Sequence, residues 1–458
     1  MSVLCERLQS QYPTVGQYDG NYRIFYHLEN KCGTMYEVEV VADDLTGAMD
    51  TSQGFAARGY ATTVIADPDA DMSSIPTDED TAVLGINTDT RYDEEEEAIE
   101  SVYEATERSR ARMVYKKVDS TLRGNFAAEI DAALTASEAA LALVAPAFPS
   151  AGRKTEGGVH YVKGKPVAET EYGEDGKGPS SSSIANLFGT IGRPVENISL
   201  STVDRGSDEV AAAITDAVER ANRPPILVCD AQEESHLEVI AEAAADFDTL
   251  FVGSGGLAEC ITVPETSDDT CSSLRSSSGA ALGVAGSVST TTLTQLASLP
   301  DDVVVSLDGA ALVAGDEPTA EIEQAVRRLQ ADRPVVLTAA TDESAVERTL
   351  AAGQEQNLTS TEIRNLVAEQ LAGATTEILQ EATPSGMLLT GGDIAVAVIR
   401  SLNATAITLT GEEVEAGIPI GKFADGTMAG KALITKAGGF GSEETIVNCL
   451  DALNQTDA

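Results

Sequence analysis

The sequence predicts an α/β fold of two domains, each built on a mostly parallel sheet covered by helices. Three observations predict it. From residue 35 onward, short β-rich runs alternate with longer helical runs, the βαβα order of parallel sheets. Polar or glycine-rich turns follow many of these strands, where ligands gather in such sheets. A Ser- and Asp-rich stretch at 262–279 breaks the pattern and reads as a linker. The expected boundaries are 35–265 for the first domain, 266–279 for the linker and 280–458 for the second domain.

Taken in order, Glu37–Val41 is the first strand. The helix after it runs to Arg58, where Gly59 suits a left-handed C′ position. Ala61–Ala66 and Thr81–Asn87 are strands, Glu94–Arg110 an acidic helix, Met113–Val118 a strand and Asn125–Thr135 a helix. Leu141–Ala145 is a strand closed by Pro146. Residues 148–185 read as a long irregular loop rich in Gly, Lys and Ser, a kind of segment that is functional or unstructured. Strands at Ile226–Val228 and Leu250–Val252, and helices at Glu209–Ala221 and His236–Ala245, complete this half. The second half has strands at Ala281–Ala285, Val303–Leu307, Val335–Thr338, Met387–Leu389 and Ala432–Ile434, with a long helix at Thr361–Gln380. No internal repeat is visible.

Composition narrows the function classes. The formal charge is −44 in 458 residues, spread along the chain, and Arg outnumbers Lys. Self-repulsion of this size is tolerated where salt screens it, so a halophilic, salt-rich cytoplasm is the expected setting. A nucleic-acid backbone or an anionic membrane is excluded as a partner by the same charge. Six cysteines without a CxxC pair and three scattered histidines argue against zinc and against a disulfide framework. No apolar run is long enough to cross a bilayer. The N-terminus lacks a signal-peptide layout. The first 34 residues hold three acids (Glu6, Asp19, Glu29) and three bases (Arg7, Arg23, Lys31) and so carry no net charge. A neutral segment ahead of so acidic a body points to a native start at Met35, with 1–34 a non-native or disordered extension.

The turns carry the chemistry. In Lys117–Arg123, two cations (Lys117, Arg123), one carboxylate (Asp119) and two hydroxyls (Ser120, Thr121) fall within seven residues after a strand. That is anion-handling chemistry: Arg123 suits a bidentate carboxylate, and the amides of the following helix favour an anion. The plainer reading is a Lys–Asp ion pair with a Ser/Thr cap. Upstream, Asp43 and Asp44 end a strand, with Thr46-Gly47 opening a helix. Such carboxylates bind hydroxyls, take a proton or hold a metal. One Asp suffices for a helix cap; two, with Thr46, favour function. Asp50, further along the helix, reads as solvated. Asn87–Arg91 is a third strand-end turn, with Arg91 available. Arg153, His160, Lys163 and Lys165 make a small basic patch suited to an acid substrate, although His160 also fits an ordinary loop histidine.

Four glycine-bearing turns follow strands: Gly253–Gly256 with Ser254, Gly286–Ser289 with Ser287, Thr390-Gly391-Gly392-Asp393, and Lys436–Gly441 with Gly438 and Gly439. Such glycines let backbone amides approach phosphates. None has P-loop or GxGxxG spacing, but three in the second half together indicate a nucleotide site. Asp393 suits either a metal ion or a helix cap.

Ala42–Asp50, Lys116–Asn125, Thr390–Asp393 and Ile434–Gly441, in this order, resemble the four-carbon acid sugar kinase family. The likeness runs from about residue 35 to near the C-terminus. It implies an N-terminal sugar-acid-binding domain, a C-terminal nucleotide-binding domain, and ATP-dependent phosphorylation of the 4-hydroxyl of threonate, erythronate or a 3-oxo-tetronate. In that pattern Ser287, the Thr390–Asp393 turn and Gly438 hold ATP, and the Asp44 and Lys117–Arg123 turns hold the sugar acid. The expected mechanism has Lys117 and Arg123 on the substrate carboxylate, Asp44 or Asp119 on the terminal hydroxyl and its proton, and Mg2+ with the amide turns on the triphosphate. Two other classes are a non-catalytic sensor of nucleotide and sugar acid, and a metal-dependent hydrolase using Asp43, Asp44 and Asp119. The sequence leaves the metal ligands and the oligomeric state open, a homodimer being one option.

Overall fold

The computed structural model describes residues 36–70, 81–263 and 279–454. The expected N-terminal extension and almost all of the expected linker lie outside these residues. Within them, the first half contributes strands β1 (Tyr36–Ala42), β2 (Thr62–Ile65), β3 (Val83–Asn87), β4 (Ala111–Lys117), β5 (Leu141–Ala145), β6 (Arg153–Glu156), β7 (Val159–Val162), β8 (Lys165–Pro166), β9 (Val195–Ile198), β10 (Ile226–Cys229) and β11 (Thr249–Gly253). The second contributes β12 (Leu282–Ala285), β13 (Val304–Ser306), β14 (Val335–Thr338), β15 (Gly386–Thr390), β16 (Ala406–Glu413), β17 (Pro419–Phe423) and β18 (Ala432–Lys436).

Two parallel blocks result. One has the order β2-β3-β1-β4-β11-β5-β10-β9, the other β13-β14-β12-β15-β18. Helices cover both faces, so β5, β10, β11, β12, β14 and β15 are buried along their whole length. This is why they read as continuous apolar runs. The blocks do not stand apart. β16 and β17, two strands the sequence reading did not anticipate, run antiparallel between β18 and β2 and join both blocks into one 15-stranded sheet.

The loop expected at 148–185 is partly ordered as a second sheet, β6-β7-β8. Its two hairpin loops are Gly157-Gly158 and Lys163-Gly164, with φ of 60°, 71°, 48° and 81°. Two consecutive left-handed residues define the type I′ turn that matches strand twist. The glycines that suggested irregularity are therefore hairpin signals.

Helix Leu45–Ala56 sits at the junction of the blocks. It packs on β1, β2 and β3 and also on β16, β17 and helix Gly392–Ser401. Its Leu45, Ala48, Met49, Phe55 and Ala56 are buried, and so are the polar Thr51, Ser52 and Gln53. The helix stops at Ala56, and Gly59 takes the expected positive φ, 92°. No helix among the described residues is long and apolar enough to cross a membrane.

Candidate active site

Register brings the polar turns of the first half together. Ala42 lies beside Asn87 on one side and Lys117 on the other, and Lys117 lies beside Gly253. The chain adds β2 and β3 on one side of β1, then β4 on the other. A sheet that reverses direction in this way leaves a crevice at the carboxyl ends of its strands. Asp43-Asp44, Thr88–Arg91, Val118–Arg123 and Ser254 border it.

Arg91 holds both aspartates. Its Nε and Nη2 donate to the two oxygens of Asp43, each at 2.8 Å, and its Nη1 and Nη2 donate to Asp44 at 2.8 and 2.7 Å. Burial alone would raise the pKa of Asp43, but Arg91, with Lys116 and Lys117 behind it, holds it below its ordinary value. Asp43 is only 3% exposed, so it orients Arg91 rather than facing the crevice. Asp44 Oδ1 also accepts from Gly47 N at 2.9 Å, which caps helix Leu45–Ala56. Capping and the Arg91 pair leave Asp44 partly exposed, with a side chain 20% accessible. A Cβ on Gly47 would collide with Asp44 Oδ1 and stand 3.0 Å from Lys117 Nζ, so glycine leaves both groups in place here.

Lys117 donates to the carbonyl of Val118 at 3.0 Å and is paired with no carboxylate among the described residues. Asp119 is fully engaged. It accepts from Arg123 Nε at 2.7 Å, from Nη2 at 3.1 Å, and from the Thr121 hydroxyl. Burial pushes its pKa up, but Arg91 and Arg123 outweigh burial and hold it far below the usual carboxylate range. Such a group is a poor proton acceptor. Asp119 is thus the charge partner of Arg123, not the alternative base expected for it.

His160 is also placed differently from expectation. It is completely buried, with Nε2 2.9 Å from the carbonyl of Ser120 and Nδ1 3.0 Å from Thr155 Oγ1. A carbonyl only accepts, so Nε2 carries the proton and Nδ1 accepts from Thr155. Burial pushes the pKa down to about 4, and the ring is neutral. His160 braces the back of the Asp119–Thr121 turn and does not face the crevice. Lys163 and Lys165 are exposed on the small sheet. Ser254, expected with the nucleotide turns, belongs to this first crevice: it follows Gly253 beside Lys117 and donates to Ala147 O at 3.2 Å.

The second block repeats the plan. Ala285 lies between Thr338 and Thr390, and Thr390 lies beside Lys436. β13 and β14 lie on one side of β12, β15 and β18 on the other. The crevice is bordered by Gly286–Ser289, Gly391–Asp393 and Ala437–Gly441. Ser287 N donates to Thr390 O at 3.2 Å, and Gly391 N donates to Lys436 O at 3.0 Å. A side chain on Gly438 would collide with the Ser287 hydroxyl, so these turns touch. The Thr390 hydroxyl is buried without a partner among the described residues. Asp393 is exposed and makes no cap for helix Gly392–Ser401. The two crevices meet: a Cβ placed on Gly392 would lie 3.9 Å from the Thr46 hydroxyl.

Two acids missed in the sequence lie at this meeting point. Asp89 adopts a left-handed backbone, φ 55°. Burial, then the charges of Asp393 and Asp44, push its carboxyl up to about 7. Its signal was an Asp inside a strand-end turn, where left-handed geometry is tolerated. Asp50, read as solvated, is raised by burial, with Lys117 opposing. Helical spacing from Asp44 was the available clue.

Residues 38–261 match the family model of a sugar-binding N-terminal domain, and residues 282–446 that of a nucleotide-binding C-terminal domain. A D-threonate kinase of Salmonella typhimurium (strain LT2) is 36% identical, over 90% of this chain and 97% of its own. A D-threonate kinase of Bordetella bronchiseptica is 32% identical over 91% and 98%. A D-erythronate kinase of Heliobacterium modesticaldum is 30% identical over 92% and 97%. A solved Haemophilus influenzae structure of the DUF1537 family shares the fold, with a TM-score of 0.69 at 21% identity over 91% of this chain and 100% of that one. Two facing crevices on an α/β sheet and these relatives define a kinase, a phosphotransferase acting on a hydroxyl group. The chain belongs to the four-carbon acid sugar kinase family.

Proposed function

We propose that this enzyme transfers the γ-phosphoryl group of ATP to the 4-hydroxyl of a four-carbon sugar acid, with D-threonate the first candidate. The approach of Thr46 to Gly392 carries the reading, because it opposes the turn expected to hold the acid to the turn expected to hold the triphosphate. Two D-threonate kinases, at 36% and 32%, are more similar to this chain than the D-erythronate kinase, at 30%, which a third D-threonate kinase equals. Residues 35–265 serve as the acid-binding unit and 280–458 as the nucleotide unit. The charge of −44 supports a salt-rich cytoplasm as the working medium.

Lys117, which has no carboxylate partner among the described residues, and Arg123 Nη1, which is outside the Asp119 fork and 3.9 Å from Asp175 Oδ2, bind the substrate carboxylate. The Ser120 hydroxyl and Asp44 bind substrate hydroxyls. Asp44, fixed by Arg91, orients the 4-hydroxyl and takes its proton as O4 bonds to the γ-phosphorus. The bond from that phosphorus to the β-phosphate oxygen breaks, and ADP leaves with the electron pair. The amides of Gly392, Gly438 and Gly439, with the Ser287 and Thr390 hydroxyls, hold the phosphates, while the Ser287 and Gly391 amides stay on backbone carbonyls and fix the turns. Most of the rate enhancement is positioning and charge neutralisation.

The donor set fits Mg2+ shared with phosphates. Among the described residues no three acids form a complete metal cage, and Mg2+ in such sites is held by one or two carboxylates plus phosphate oxygens. Asp393 and Asp89 would hold it, and it would supply charge neutralisation on the phosphate chain. The deciding experiment is ADP release in high KCl with Mg-ATP, using D- and L-threonate, D- and L-erythronate and 3-oxo-tetronates. Strong release with one acid is expected. Folded protein that binds ATP but releases ADP with none of them overturns the proposal.

A further inference from the structure

Lys436 ends β18 and is 1% exposed, yet it forms no ion pair among the described residues. Lys116, equally buried, has Glu129 at 2.8 Å. Lys436 instead spends its protons on the loop that follows it. Its Nζ donates to the carbonyls of Ala437 at 3.0 Å, Phe440 at 3.3 Å and Gly438 at 3.4 Å, and lies 3.4 Å from Thr292 Oγ1. Helix Thr290–Ala297 and its cap add to the same set. Ser289 Oγ and Thr292 Oγ1 donate to Gly438 O at 2.6 and 2.9 Å. Gln295 Nε2 donates to Phe440 O at 3.1 Å and Ser442 O at 2.7 Å.

A trans peptide points its carbonyl and the next residue's N–H in opposite directions, and the described chain has no cis bonds. Drawing the carbonyls of Ala437, Gly438 and Phe440 inward therefore turns the amides of Gly438, Gly439 and Gly441 outward. Among the described residues these three amides have no protein acceptor. Outward amides around glycine make a concavity for an anion. A buried ammonium that contacts only neutral oxygens is costly unless a negative ligand returns the favourable charge.

We infer that Lys436 is a positioning residue that folds the 437–441 loop around its ammonium and aims the amides of Gly438, Gly439 and Gly441 at the phosphate chain of the nucleotide. The inference rests on the reading of this loop as the nucleotide site and assigns to Lys436 the task of shaping it. Burial pulls the Lys436 pKa down to about 8. The titratable groups facing it are Cys449, on helix Thr445–Asn454, and Glu415, between β16 and β17. Burial pushes Cys449 up to about 12; burial also pushes Glu415 up, but hydrogen bonds from Ser442, Thr445 and Asn448 outweigh it and hold Glu415 below its ordinary value. Neither changes charge between pH 8 and 10. Loss of the Lys436 proton leaves a lone pair facing carbonyls and loosens the loop.

The test is calorimetric titration of Mg-ADP into the full chain in high KCl, for wild type, Lys436→Met and Lys436→Arg. At about pH 7.5 Lys436→Met should bind ADP at least about tenfold more weakly, the scale of one charge-assisted hydrogen-bond set. Its affinity for the sugar acid should stay at the wild-type value, and Arg should restore part of the loss. The wild-type advantage should shrink as pH rises through about 8 to about 9.5, where the lysine is neutral. ADP binding by Lys436→Met at wild-type strength overturns the inference while leaving the nucleotide site intact. Wild type that binds no ADP overturns the reading of the loop and the inference with it. If Lys436→Met does not fold, the wild-type pH series decides, and an affinity flat across that range overturns the inference.

Discussion

Arg91 Nη2 lies 2.7 Å from Asp44 Oδ1 while Arg91 Nη1 lies 2.8 Å from Asp44 Oδ2. A planar fork on both oxygens fixes the carboxylate in rotation as well as position. Asp44 thereby meets the crevice in one orientation, although it stands at the end of a strand where a lone aspartate would swing.

Asp44→Asn keeps the size and the helix cap but removes the proton acceptor and half the attraction for Arg91. Turnover should fall by roughly 10²- to 10⁴-fold, the usual range for a general base. Mg-ATP affinity should change little, since Asp44 is outside the nucleotide turns. Steady-state kinetics with ADP binding on the same preparation checks this. Unchanged turnover would remove Asp44 from the reaction.

Arg91→Met leaves Asp43 buried with its principal partner gone. Breaking a buried pair from one side costs roughly 3–5 kcal/mol. Equilibrium denaturation should show a loss on that scale, larger than that of Arg91→Lys, which keeps the charge without the fork. Equal stability of all three proteins would mean that the pair is not formed in solution.

The order of strands and helices was legible because buried parallel strands are apolar throughout and the turns between them are not. The polar turns at Asp43-Asp44, Lys117–Arg123 and Thr390–Asp393 were legible for the same reason: a strand end is fixed by the strand. What pairs with what was not. Asp119 read either as a base or as the ion-pair partner of Lys117, whereas the charges acting on it are those of Arg91, from another turn, and Arg123. His160 looked like a loop residue because the hairpins around it were read as irregular. The role of Lys436 left no trace at all, since its partners are mostly backbone carbonyls, which every sequence has. The edge-to-edge joining by β16 and β17 depends on pairing with β2, more than three hundred residues earlier.

His160 predicts a specific acid dependence. Its pKa is ordinarily about 6.5 and falls to about 4 in the fold. Between these values the unfolded chain takes a proton that the folded ring refuses. Stability contributed by this site is full above about pH 6.5 and is lost as pH falls toward 4. His160→Gln keeps a donor for the Ser120 carbonyl but cannot titrate. Its stability should fall less steeply across that window than wild type, with KM for the acid nearly preserved. His160→Ala should share the shallower slope but raise KM, because the Ser120 turn loses its brace. Identical slopes in wild type and His160→Gln would place the ring in solvent.

Salt dependence follows from charge placement. The acidic helix Glu95–Glu107 opens with Glu95, Glu96 and Glu97, and its pair from Glu104 to Arg108 is exposed at both ends. Exposed pairs of this kind contribute little, so they cannot offset a formal charge of −44. Screening has to do so. The Debye length shrinks from about 10 Å at 0.1 M salt to about 3 Å at 1 M, which falls below the spacing of most surface charges. The melting temperature should therefore climb steeply with KCl through this range and flatten beyond it. The buried Lys116–Glu129 contact, closed to solvent at both ends, should be insensitive to the same change. The increment lost in Glu129→Gln should accordingly be the same in low and high KCl, while the baseline moves. A melting temperature independent of KCl would show that the acidic surface imposes no net repulsion on the fold.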